Sequence, residues 1–117
     1  MCPVRVDGRA LLASGGDDDA VRLWDPQTGQ QHAVLEGHQD WVNAVCAITV
    51  SGRELLASGG DDETVRLWHP QTGACILTVP IHYQVLGAAS VPDSLAIGLD
   101  TGILVIKLNP AALPAIL

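Results

Sequence analysis

The sequence predicts an all-β chain built from repeated four-stranded antiparallel sheets, and three observations carry that prediction. A 22-residue segment is written twice: GRALLASGGDDDAVRLWDPQTG from Gly8 to Gly29 and GRELLASGGDDETVRLWHPQTG from Gly52 to Gly73, 44 residues apart and identical at 18 positions. Between clusters of turn-forming residues lie short runs rich in Val, Leu, Ile and Ala, the pattern of an antiparallel meander. No run is long and periodic enough for a helix. A period of about 40–45 residues is that of four-stranded propeller blades. The 117 residues hold about 2.7 such units, whereas a closed ring needs roughly four to eight.

The middle repeat, 37–80, carries every element of a blade. Gly37 to Asp40 is polar and turn-like, and the apolar run Trp41 to Ile48 reads as strand a. A turn at 50–53 leads to strand b, Leu55 to Gly59, and the acidic turn Asp61-Asp62-Glu63 leads to strand c, Thr64 to Trp68. Strand c alternates, with Val65 and Leu67 on one face and Arg66 and Trp68 on the other. Pro70-Gln71-Thr72-Gly73 forms the last turn, with Pro setting φ early and Gly closing it, before strand d, Ala74 to Val79. The first repeat, 1–36, follows the same plan, with strands at Cys2 to Val6, Leu11 to Gly15, Ala20 to Trp24 and Gln31 to Leu35. The third, 81–117, is divergent: Val85 to Val91, Leu95 to Leu99 and Ile103 to Leu108 read as strands. An outer strand within Ala111 to Leu117 is doubtful, because Pro114 cannot donate to a ladder.

Charge and cysteine content exclude several classes of function. The net charge of −7 disfavours nucleic acid, whose phosphates recruit positive charge. The acids concentrate at Asp17-Asp18-Asp19 and Asp61-Asp62-Glu63, both turns on one end of the blades. Three cysteines, Cys2, Cys46 and Cys75, do not make a disulfide framework and suit a reducing compartment. Cys2 and Cys46 are 44 residues apart, so they occupy one position in successive blades, as small buried hydrophobes. The first ten residues lack the apolar core of a signal peptide, and the apolar tail from Ile103 is too short and interrupted to span a membrane. A cytoplasmic location is expected.

Gly37-His38, strands a to c and a Trp closing strand c together resemble the WD-repeat β-propeller family. Trp24-Asp25 carries its name-giving dipeptide, and Trp68-His69 departs from it in the second residue. The resemblance is strong over residues 8–79 and weak beyond; the third repeat has no Trp, and Ile81-His82 stands in place of Gly-His. It implies a structural hydrogen-bond network in each blade, joining a loop His, a strand-b Ser or Thr, an Asp of the b–c turn and the strand-c Trp. Blade two has all four: His38, Ser58, Asp62 and Trp68. Blade one has Ser14, Asp18 and Trp24 without the His. Blade three has His82, and Asp100 as a further candidate, but Ile97 where Ser belongs. The resemblance also implies that the end carrying the d–a and b–c loops docks peptides and proteins. Trp41, Asn43, Asp17 and Asp61 are the candidate protein-binding rim, Trp41 being either an exposed anchor or packed on the next blade.

Ser, His and Asp together also raise the question of a catalytic triad. A nucleophile must face a cleft, whereas these residues repeat inside a sheet and include a Trp, so the chain is read as no enzyme, with no catalytic residue, cofactor or metal. The acidic turns lack the distal Glu of a calcium loop. The function expected is a protein–protein interaction scaffold. Each outermost blade has an apolar face to cover, so the chain is expected to close a ring with copies of itself. A dimer of about six blades is favoured over a trimer of about nine. Two alternatives stand beside this: a small-molecule or metal-binding, even hydrolytic, propeller, and a C-terminal piece of a larger, bacterial multi-repeat protein with no role of its own.

Overall fold

In a computed structural model, which describes residues 2–6, 8–50, 52–91 and 94–107, every regular element is a β-strand. Eleven strands are described: β1 (Cys2–Val6), β2 (Arg9–Gly15), β3 (Ala20–Trp24), β4 (Gln31–Glu36), β5 (Val42–Val50), β6 (Arg53–Gly60), β7 (Thr64–His69), β8 (Ala74–Pro80), β9 (Gly87–Val91), β10 (Ser94–Leu99) and β11 (Gly102–Lys107). They form two four-stranded sheets, β1-β2-β3-β4 and β5-β6-β7-β8, and a three-stranded sheet β9-β10-β11, each an antiparallel meander in chain order. The doubtful outer strand of blade three lies outside the described residues.

Sequence identity between the first two sheets is matched by identity of backbone detail. Leu12 pairs with Trp24 as Leu56 pairs with Trp68, and Ser14 with Arg22 as Ser58 with Arg66. A register shift falls between Leu23 and Trp24 and again between Leu67 and Trp68; such a bulge re-aims a side chain, here the tryptophan. The b–c turns place Asp19 and Glu63 at φ 66° and 64°, where acidic side chains are tolerated less well than glycine.

Stacking follows one rule. Leu11, Ala13, Val21 and Leu23 of the first sheet share a core with Leu56 and Trp68 of the second. Leu55, Ala57, Val65 and Leu67, 44 residues on, share a core with Leu95 and Ile97 of the third. Each sheet therefore turns its Val/Leu face onto the next sheet's face carrying Leu56 or its counterpart. Cys2 opposes Ala13 as Cys46 opposes Ala57, so both thiols point into inter-sheet cores; burial pushes the Cys46 thiol up to about 11.

Strand a of blade two runs on to Val50, beyond the predicted Ile48, because Ile48 and Val50 are both buried. Blade three departs further. Val42 N donates to Gly16 O and Val85 N donates to Gly60 O, so Val85, not Leu86, takes the place of Val42. The spacing here is 43, one residue less than the repeat. Val85 is wholly buried in the loop before β9 rather than within the strand.

Candidate functional site

The loops β4–β5, β6–β7 and β8–β9 and the turn β2–β3 lie at one end of the sheets, tied together by backbone bonds. Asp61 N donates to Trp41 O (2.9 Å), Val42 N to Gly16 O (2.9 Å) and Val85 N to Gly60 O (3.1 Å). Asn43 Nδ2 bridges the loops, donating to Asp61 Oδ1 (2.6 Å) and to Val85 O (3.0 Å). With its main chain held this way, Trp41 is 54% exposed. Asp17 is exposed in the neighbouring turn of blade one.

Behind this rim runs a chain of hydrogen bonds. Trp68 Nε1 donates to Ser58 Oγ (2.7 Å), which lies 2.6 Å from His38 Nε2; His38 Nδ1 lies 2.8 Å from Asp62 Oδ2. The carboxylate only accepts, so Nδ1 carries the proton and Nε2 accepts from the serine hydroxyl. Burial lowers the His38 pKa from its ordinary 6.5, against the pull of Asp62, so the ring is neutral at pH 7. Burial alone would raise the pKa of Asp62; hydrogen bonds from His38, Gln39 N and Thr64 outweigh it and hold the carboxyl below 3.8. Ser58 and Trp68 are 1% and 0% exposed, so no substrate reaches the hydroxyl. The Ser-His-Asp set is chemically closed, and it pins the loop that carries Trp41 to the sheet.

Blade one has only part of this chain. Trp24 Nε1 donates to Ser14 Oγ (2.8 Å), but Asp18 turns to Arg22, accepting from its Nε (3.1 Å) and forming an ion pair with the guanidinium. Arg22, which sequence reasoning passed over, lowers the Asp18 pKa. Blade three differs from its expected form. With the spacing shortened by one residue, the buried Ile81 rather than His82 takes the place of His38, and His82 is exposed at φ 69°. Ile97 opposes Leu104 and Leu95 opposes Ile106, which sets Ile97 in the place of Ser58 and Ile106 in that of Trp68. Ile81 and Ile97 belong to one core, with Ile106 packed against it. Isoleucines take the places of the His, Ser and Trp, and Asp100 of the β10–β11 turn is exposed, so none of the three places needs a hydrogen-bond partner. Tyr83 and Leu86, 54% and 51% exposed on the β8–β9 loop, add apolar surface to the same end as Trp41. The signal for them was the scarcity of charge between Ile81 and Gly87.

Among the described residues no group of three or more His, Cys, Asp or Glu stands close enough to hold a metal ion, and no helix is long and apolar enough to cross a membrane.

Stacked four-stranded meanders with a Trp–Ser–His–Asp chain define the class as blades of a β-propeller. The chain belongs to the WD domain, G-beta repeat family, which it matches over residues 6–25 and 29–69, more than half its length. It is similar to the nuclear distribution protein PAC1 of Coprinopsis cinerea, 54% identical over 35 residues, 30% of this chain and 8% of that protein. It is also similar to the probable serine/threonine-protein kinase PkwA of Thermomonospora curvata, 52% identical over 37 residues, 32% of this chain and 5% of that protein. The matched stretch is thus a small part of either relative. WD repeats generally mediate protein–protein interaction.

Proposed function

We propose that this chain is a non-catalytic protein-interaction scaffold of the cytoplasm, that its loop-bearing end docks a protein or peptide, and that copies of the chain associate to complete a propeller ring. The observation that carries the docking reading is Trp41. A large aromatic ring stands 54% exposed on a backbone held by Asp61 N and by a loop anchored through His38. A rigid, exposed aromatic is the kind of residue that dominates interface energetics. Asp17, Asp40 and Asp61 surround it with negative charge, which suits a partner segment carrying Lys or Arg and acts chiefly on association rate and specificity.

Trp41→Ala tests the reading. Because Trp41 is 54% exposed and belongs to neither inter-sheet core, thermal stability should stay within about 0.5 kcal/mol of the parent. Capture of a binding partner, identified by pull-down with the parent chain, should fall by at least about tenfold, the effect of losing an interface anchor of ≥1.4 kcal/mol. Undiminished capture would remove Trp41 and the rim from the binding site.

A further inference from the structure

We infer that the outer face of blade three is a docking surface for the outer face of blade one of a second copy, joined head to tail by the same packing that joins blade one to blade two within the chain. The inference rests on the ring-assembly reading above and assigns its interface.

The occupant can be read from inside the molecule, because one of the two faces occurs twice. Leu12, Ser14 and Trp24 stand in the same register as Leu56, Ser58 and Trp68. The second set is fully buried, the first only partly. The residues are identical, and the difference is what lies on top: Leu56 and Trp68 pack into a core with Ala13, Val21 and Leu23, the Val/Leu face of the preceding sheet. What fits on Leu12 and Trp24 is therefore another Val/Leu face.

Among the described residues one such face is uncovered. In blade three Ala96 opposes Val105 and Gly98 opposes Ile103, the places held in blade two by Ala57 with Leu67 and Gly59 with Val65. Ala57, Val65 and Leu67 are at most 2% exposed, but Ile103 and Val105 are 78% and 56% exposed. Ala89, Ala96 and Gly98 leave a shallow apolar hollow beside Ile103, open to an apolar side chain of the face that docks there. The two faces are different and complementary, so the contact is heterologous, and it either closes into a ring or propagates.

Light scattering coupled to gel filtration reads this directly, with Leu12→Glu on one face and Val105→Glu on the other. Both positions are partly or largely exposed in the single chain, so circular dichroism of each variant should match the parent. The parent should run as a closed multiple of the chain mass. Each variant alone should lose that species, with association weakened at least about 30-fold by a charge placed in a desolvated contact. An equimolar mixture of the two should recover a one-to-one pair through the single intact interface. A parent monomeric at all concentrations would overturn ring assembly and this interface together. An assembly that survives both substitutions, or that is lost in Leu12→Glu but kept in Val105→Glu, would overturn the head-to-tail interface and leave assembly by another route standing.

Discussion

Ser58 Oγ accepts from Trp68 Nε1–H and donates to His38 Nε2, so one hydroxyl satisfies two buried rings. Ser58→Ala orphans both at once, and each such group costs about 1–3 kcal/mol; urea denaturation should show a loss of roughly 2–5 kcal/mol. Ser14→Ala removes the same bond from the only partly buried Trp24, where water can replace it, so the loss there should stay near 1 kcal/mol or below. The network also makes stability pH-dependent. The folded chain holds His38 below its ordinary 6.5, so the unfolded chain binds the proton more readily. The contribution is fully present above pH 6.5 and is lost as pH falls toward the folded value. Asp62, held below 3.8, acts in the same sense further into acid. Urea midpoints should decline from about pH 7 to about pH 5, and less steeply in His38→Gln. A parent that gains stability over that range would contradict the neutral ring.

Turns and crossings set the requirements of each element. A Cβ on Gly60 would collide with the Trp41 carbonyl oxygen, which is backbone and cannot yield, whereas a Cβ on the corresponding Gly16 would meet only the Asp18 side chain at 3.2 Å. Gly60→Ala should therefore destabilise by several kcal/mol, in the range of strained backbone sites, at about 3 or more, and Gly16→Ala by under about 1. Glu63 occupies left-handed backbone at φ 64°. Glu63→Asn should raise the melting temperature, by up to about 1 kcal/mol of stability, because Asn tolerates that region better. The third blade shows that the element can do without the buried His, Ser and Trp of the chain: Ile81, Ile97 and Ile106 substitute shape for hydrogen bonds.

For the whole molecule, two inter-sheet cores are closed among the described residues and two outer faces are left over. Their residues are those that elsewhere in the chain are fully buried. The proposed association through them would link folding to concentration. The melting temperature should rise by several degrees between about 1 μM and 100 μM protein, and the Leu12→Glu and Val105→Glu variants should melt independently of concentration. A concentration-independent parent would weigh against assembly as a source of stability.

The duplicated 22-residue segment was enough to determine the meander, the strand positions in the first two blades and the family, because turn residues and period-2 alternation act locally. The residues of the hydrogen-bond chain and rim were legible as a list. Whether Trp41 pointed outward was not, since that depends on how Asp61 N and Asn43 hold the loop. The place of His38 in blade three is off by one from the sequence reading because the local spacing is 43 rather than 44, and one residue fewer in an apolar stretch leaves no local mark. Only the packing of Val85 against Gly59 and the bond from its N–H to Gly60 O fix the register that exchanges His38 for Ile81. Which face lies on which is likewise a tertiary fact. Both faces of the first two blades carry large apolar residues, and only contact between sheets shows that the Val/Leu face packs on the tryptophan face.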